Sequence, residues 1–424
     1  MKRYLTLLVL VALWLGNLTA LLAGDIPLSE DQVLALFYER NLDLIAAHYQ
    51  IDRAEALEWL AAAIPNPQLT LGWNELNGAW NFNPRLGHPG VGFNVAVSQL
   101  LETAGKRGLR MESSRLGRAA VEADFKDALR TLSNAVRHAY YRLLLAQKTL
   151  EVARDNHRRY QDLVAANRLR LKAGDIAESD LLRVEVESYK AQAELDRAAA
   201  ELKQARADLA RLLAWPEQSL NLVATETWPT EASGYLTEQE SALVEKAYAA
   251  RPDLKSALLR TDQAEKDLEL ARRLSVPDVT LSAGYVKDPG NVVLDSGTLS
   301  ISVPLPIFYR YKGEIGQAVA NLNQARLQVE QIKQAIRGEV VTAYAALQSA
   351  AAIAARFETE VTRRLEKVRQ AAEFAYAKGA ASLLELLDAE RSYKTMMLDY
   401  YAALTERTLA YADLLKALGE EPRK

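Results

Sequence analysis

Two carboxylates three residues apart, Glu385 and Asp388, stand in the run Ser382-Leu383-Leu384-Glu385-Leu386-Leu387-Asp388 and would share one face of a helix. Ser382 and Glu385 also fit a Ser-x-x-Glu capping box, which would start that helix and needs no further role to explain it. Elsewhere the reactive residue types are sparse. His48, His88, His138 and His157 are scattered, with no pair at ligand spacing. The adjacent Met396-Met397 reads as packing and not as a copper site. No nucleophile–base constellation and no phosphate-binding glycine loop is present. The absence of cysteine excludes disulfides, thiolate chemistry, Cys-based zinc sites and a lipid-modified N-terminal Cys. A net charge of -3, with acids and bases interleaved, gives no nucleic-acid footprint. An enzyme, a cofactor or a metal site is therefore not expected.

The elements that must carry the acidic pair are long helices. Hydrophobic residues make up 49% and charged residues 25% of the 424, which excludes a disordered chain. From Gly313 to Ala375, Ile315, Val319, Leu322, Val329, Ile332, Ile336, Val340 and Leu347 recur at helical steps, and no proline intervenes. The segment Lys106–Lys172 repeats the pattern. Each would extend about 100 Å at 1.5 Å per residue, a length suited to a coiled-coil hairpin or a helical tube. Gly174 and Gly379 follow these helices and can take the left-handed conformation that ends one.

The order of elements occurs twice. Asn41-Leu42-Asp43-Leu44 is echoed by Arg251-Pro252-Asp253-Leu254. Ile64-Pro65-Asn66-Pro67-Gln68-Leu69 has a counterpart in Val276-Pro277-Asp278-Val279, and Leu171-Lys172-Ala173-Gly174 in Tyr376-Ala377-Lys378-Gly379. The boundaries read as a leader at 1–23, a first repeat at 24–215, a linker at 216–240, a second repeat at 241–418 and a tail at 419–424. The leader has Lys2 and Arg3, the apolar run Leu5–Leu15 and small residues near Ala23 and Gly24, the layout of a secretory signal peptide. No later segment approaches an uninterrupted apolar span, so a membrane would have to be crossed by strands.

Four segments alternate with period two. Leu69, Leu71 and Trp73 share a face, as do Val91, Phe93, Val95 and Val97. Val279, Leu281, Ala283 and Tyr285 form the third set, and Leu299, Ile301 and Val303 the fourth. Each run has about the 9–11 residues of a tilted transmembrane strand. The intervening stretches Asn77–Gly90 and Asp288–Gly297 are Gly/Asn/Pro-rich, and Trp73, Trp80 and Phe82 fit an interface belt. Four strands cannot close a transmembrane barrel, which starts at about eight.

Three stretches carry a family resemblance: Pro65-Asn66-Pro67, then Val97-Ser98-Gln99-Leu100-Leu101-Glu102 with Gly105-Lys106-Arg107, then Val303-Pro304-Leu305-Pro306-Ile307-Phe308 with Gly313-Glu314-Ile315. The chain resembles the TolC-like outer-membrane efflux proteins, and within them the outer-membrane components of cobalt–zinc–cadmium cation efflux systems. The resemblance implies a mainly α fold with a small β part, assembled as a homotrimer. Each chain would give four strands to a shared twelve-stranded barrel in outer-membrane lipid, and its hairpins to a periplasmic tunnel. It implies an export duct for heavy-metal cations or drugs. The implied partners are a periplasmic adaptor (membrane-fusion) protein and an inner-membrane pump of the resistance-nodulation-division type.

By the same resemblance, Glu385 and Asp388 form an acidic gate of six carboxylates per trimer, a ring that attracts cations. Tyr376 and Asp180 match positions used in tip-closing contacts. Adaptor contact falls to Leu171, Lys172, Gly174, Asp175, Ile176 and Ser179 at one tip. At the other it falls to Tyr376, Lys378, Gly379, Ala380, Ser382 and Leu383. The alternative is a soluble periplasmic coiled-coil adaptor or scaffold, which two equivalent hairpins without lipoyl-like segments disfavour.

Overall fold

The computed structural model describes residues 25–74, 92–215, 221–229, 235–287 and 296–420. The leader at 1–23, Trp80, Phe82, His88, the stretch Asn77–Gly90, most of the second interstrand stretch and the end of the tail lie outside the described residues.

The first half runs β1 (Ile26–Leu28), α1 (Glu30–Arg40), α2 (Leu42–Ala62), β2 (Gln68–Asn74), β3 (Gly92–Leu101), α3 (Lys106–Ala173) and α4 (Glu178–Leu212). The second runs β4 (Leu222–Ala224), α5 (Glu240–Ala250), α6 (Pro252–Arg273), β5 (Val279–Lys287), β6 (Ser296–Ser302) and α7 (Lys312–Arg356). A π-helical turn (Phe357–Val361), α8 (Thr362–Ala377) and α9 (Leu383–Leu418) complete it. The chain forms two compact units, and each draws on both halves: one combines 48–125 with 252–333, the other the remaining three stretches.

The unit containing 48–125 and 252–333 holds a four-stranded antiparallel sheet in the order β2-β3-β5-β6. Register assigns its faces. Leu69 pairs with Val97, Leu71 with Val95 and Trp73 with Phe93. Val95 in turn pairs with Tyr285, and Leu281 with Ile301. These residues all lie on one face, because paired residues point the same way. The opposite face carries Gln68, Thr70, Ser98, Thr280, Ser282, Ser300 and Ser302. The apolar face is not covered: Leu69 is 63%, Trp73 62% and Leu299 82% exposed. β2 and β6 each have seven described residues, fewer than the alternation predicts, and Val303 lies just beyond β6.

Where the strands give way to helix, side chains fix the corner. Thr103 donates its N–H to Asp278 Oδ1 at 2.8 Å, and buried Lys106 pairs with the same carboxylate at 2.9 Å. Arg110 holds Glu102 through two bonds of 2.6 and 2.9 Å, a bidentate geometry that pins the start of α3.

The other unit is helical apart from β1 and β4, which pair in parallel. β4 lies inside the stretch expected as a linker. Its three residues are too short a run for alternation to reveal. Tyr140, Leu143, Leu209, Leu222, Leu243, Ile336, Leu347 and Leu414 form the buried core. The stripe predicted over 313–375 is not one continuous α-helix, because the π turn interrupts it. Nothing in the residue types around Phe357 marks that extra residue per turn in advance. One further expectation is corrected: Lys312–Thr359 does contain a window apolar enough for a membrane span. Its apolarity is largely alanine, as in Ala345-Ala346 and Ala350-Ala351-Ala352, which suits close helix packing.

Candidate functional site at the helical tips

Two helix–turn–helix tips close the hairpins α3–α4 and α8–α9, and both end their first helix alike. Gly174 has φ +82° and Gly379 φ +73°. The Gly174 N–H donates to Leu171 O, and the Asp175 N–H to Arg170 O. At the second tip Gly379 donates to Tyr376 O and Ala380 to Ala375 O. Both are Schellman motifs, in which a left-handed residue lets the chain satisfy the last carbonyls of the helix.

Below the turns the hairpins share a core. Tyr160 and Val164 of α3, Val184 and Ala191 of α4, and Leu383 and Leu387 of α9 are all buried in it, with Leu163, Leu181 and Tyr376 packed against them. Tyr376 is the main polar link. Its hydroxyl donates to Asn167 Oδ1 at 2.6 Å, and the Arg170 guanidinium stands 5.0 Å from its ring centre. Asn167, fully buried, is satisfied on its other side by donating to Leu163 O at 2.8 Å.

The acidic pair divides into two roles. Ser382 and Glu385 form the full capping box, with Glu385 N–H donating to Ser382 Oγ at 3.2 Å and Ser382 N–H to Glu385 Oε2 at 2.9 Å. Asp388 is exposed and has no such local bond, so its charge is free to act at a distance. Asp180 is half-buried, and its carboxylate meets neither Tyr376 nor any other hydrogen-bonding partner among the described residues; the partner of Tyr376 is Asn167 instead. Lys172, Gly174, Asp175, Ser179, Lys378, Gly379, Ala380 and Ser382 are exposed, and Leu171, Ile176 and Tyr376 half-buried. Leu383, one of the residues assigned to adaptor contact by the resemblance, is buried in the core because it begins the apolar stripe of α9. Among the described residues no group of three or more His, Asp or Glu is placed to hold a metal.

A family model described as outer membrane efflux protein matches residues 33–214 and 243–420. The cobalt-zinc-cadmium resistance protein CzcC of Cupriavidus metallidurans is 24% identical over 402 residues, covering 93% of this chain and 90% of that one. The pyoverdine export outer membrane protein OpmQ of Pseudomonas putida is 25% identical over 421 residues, covering 92% and 85%. A solved structure of CusC, described in terms of folding and transmembrane channel formation, superposes with a TM-score of 0.76 at 22% identity, over 92% of each chain. The chain belongs to the outer membrane efflux protein family. It is an outer-membrane efflux channel protein with its helical part in the periplasm, and its fold is that of the TolC-like trimeric channels.

Some way above the tips of this channel lies a cluster of charges that motif reading passed over. Arg369 of α8 is buried and bonds Glu366 at 2.5 Å and Glu373 at 3.0 Å. Arg159 of α3 reaches Glu373 at 3.1 Å and Asp155 at 2.7 Å. Glu390 of α9 is buried 4.0 Å from Arg369. Burial, together with the neighbouring Glu373 carboxylate, pushes the Glu390 carboxyl up to about 7 from its ordinary 4.5, against the pull of the two arginines. Glu390 had a signal. Leu383, Leu386, Leu387 and Glu390 follow i, i+3, i+4, i+7, so a carboxylate sits where the core stripe calls for an apolar residue.

Proposed function

We propose that three copies of this chain form a passive export duct, built from two internal repeats at 24–215 and 241–418, that catalyses no reaction. The observation that carries this is the open sheet. It presents an uncovered apolar face and an opposite face rich in Ser and Thr, and it is continuous in sequence with α3, about 100 Å long. Such a sheet is unfavourable in water, and satisfied when its apolar face meets lipid and its polar face a wet lumen. Three copies supply twelve strands and leave no free edge.

The hairpin tips are the adaptor-facing end in this reading. Lys172, Asp175, Ser179, Lys378 and Ala380 offer the exposed contacts, with Leu171, Ile176, Gly174, Gly379 and Ser382 shaping the turns. The partners are a periplasmic adaptor and an inner-membrane pump of the resistance-nodulation-division type. Likeness to CzcC favours heavy-metal cations as cargo, and likeness to OpmQ supports a larger organic cargo. Asp388 is the principal gate acid, Glu385 adds charge while capping its helix, Tyr376 holds the tip closed through Asn167, and Asp180 adds a separate tip-closing contact.

Single-channel recording in planar bilayers tests both levels, comparing wild type with Glu385→Ala/Asp388→Ala. Discrete cation-selective channels that widen, or lose selectivity several-fold, in the double variant are expected. Channels indifferent to the substitution would remove the gate and keep the duct. A folded assembly that forms no channels and fractionates with soluble periplasmic protein would remove the duct.

A further inference from the structure

The buried cluster around Glu390 joins three helices drawn from the two hairpins, α3 from one and α8 and α9 from the other. Asp155 and Arg159 come from α3, Glu366, Arg369 and Glu373 from α8, and Glu390 and Tyr393 from α9. Its strands of contact are short: Arg159 and Arg369 converge on Glu373, and the Arg369 guanidinium lies 4.6 Å from the Tyr393 ring centre. The surrounding charges are accounted for. Arg158 neutralises Asp155 from the solvent side, Lys394 pairs with Glu194, Lys148 with Glu151, and Glu187 with Lys190 and Arg391, while Asp162 and Arg170, which line the adjoining cavity, carry opposite charges. What is left is two guanidinium groups, Arg159 and Arg369, facing three glutamates, Glu366, Glu373 and Glu390. One proton removes the excess negative charge.

A cavity of about 390 Å³ adjoins the cluster and is lined by Arg159, Tyr160, Arg170, Glu373, Tyr376 and Glu390 among others. It connects the charges to the Tyr376 link at the tip and leaves the side chains room to move. α8 enters the cluster directly after the π turn at Phe357–Val361, a break in regular helical bonding of the kind that permits a bend.

We propose that Arg159, Arg369, Glu373 and Glu390 form a proton-coupled latch between the two hairpins, closed with the proton on Glu390 and loosened when that proton leaves for bulk water. The proposal rests on the channel reading for its purpose and on this cluster for its mechanism. The direction follows from the neighbours. A carboxyl whose value is raised in the packed state favours that state while protonated, and the preference is lost as pH rises from about 4.5 through about 7. Separation of the hairpins hydrates Glu390 and returns it to an ordinary acid. Between about 4.5 and about 7 each pH unit therefore shifts the balance up to about tenfold toward the loosened form, and above about 7, where both forms have lost the proton, the balance levels off. The acids Glu385 and Asp388, five and two residues before Glu390 on α9, are exposed where Glu390 is buried and are not part of the latch.

The chain has no cysteine, so a labelled pair can be introduced cleanly. Spin labels at Leu169→Cys in α3 and Leu384→Cys in α9, both exposed, report the hairpin separation by double electron–electron resonance. Labelled chains are diluted with unlabelled chains in the detergent-solubilised assembly, and pH is varied from 5.5 to 8.5. The expected result is a separation that lengthens as pH rises toward about 7 and levels off above it. The transition should vanish in Glu390→Gln, move to lower pH in Glu373→Gln, and persist in Glu385→Ala/Asp388→Ala. No pH-dependent change in wild type, or a transition that survives Glu390→Gln, overturns the latch. The distance is read without any current, so a protein that forms no channels counts against the duct alone.

Discussion

The two hairpin tips reach the same backbone geometry by different chemistry. At the second tip, Ser382 caps α9 through a reciprocal box with Glu385. At the first, Ala177 begins α4 with the same extended backbone and no side-chain cap, and only Glu178 and Asp180 in the first turn favour the helix N-terminus. The far ends of the returning helices differ in the same sense. α9 ends on Gly419 at φ +76°, whereas α4 ends on Ala214 at φ +47° with the same hydrogen-bond pattern. A left-handed alanine costs about 1–2 kcal/mol, so packing must hold it there. The Trp215 N–H to Ala210 O bond and the buried Leu212 and Leu213 beside it show what does so. The repeat is thus conserved as geometry: the second half satisfies it with local chemistry at both ends of α9, and the first half leaves both ends of α4 to tertiary packing.

Substitutions can break this contrast. Leu387→Ala opens the core that both tips share and should cost about 2–5 kcal/mol, seen as faster hydrogen exchange in α4 and α9 together. Equal exchange in α4 before and after would show the hairpins to be independent. Gly419→Ala should cost about 1–3 kcal/mol, since it combines a left-handed backbone with a Cβ only 3.1 Å from the backbone of Ala250 and Arg251. Its melting temperature should fall clearly below that of wild type. Ser382→Ala should cost about 1 kcal/mol and fray the first turn of α9 in the same exchange measurement. Ala214→Gly should gain less than about 1 kcal/mol, because relief of the left-handed strain is partly offset by the freer unfolded chain. The smallest effect belongs to Ala177→Ser, a gain of about 0.5 kcal/mol confined to the first turn of α4. If Ala177→Ser changes nothing while Ser382→Ala frays its helix, the first tip is held by packing alone.

Much of this was legible in residue order. Alternation in Leu69-Thr70-Leu71 and Leu281-Ser282-Ala283 placed strands and their faces, and three- and four-residue steps placed the long helices. The glycines at 174 and 379 marked both turns. The π turn escaped because a single extra residue barely disturbs a hydrophobic stripe. β4 escaped because three residues show no period. Leu383 stands beside the turn yet is buried, because position in sequence does not report the direction of a side chain.

What the sequence determined by itself is whatever depends on neighbours within a few turns: element type, apolar face, capping box and duplicated order. Tertiary structure decided what depends on neighbours far along the chain. Glu385 and Glu390 are the same residue type five positions apart in one helix, yet one caps an exposed turn and the other is buried in a charge cluster. The difference comes from Arg159, whose partner Glu373 lies 214 residues away, and from the core that α3 brings against α9. Solvation and Coulomb interactions are set by distance in space, and only the folded chain fixes those distances.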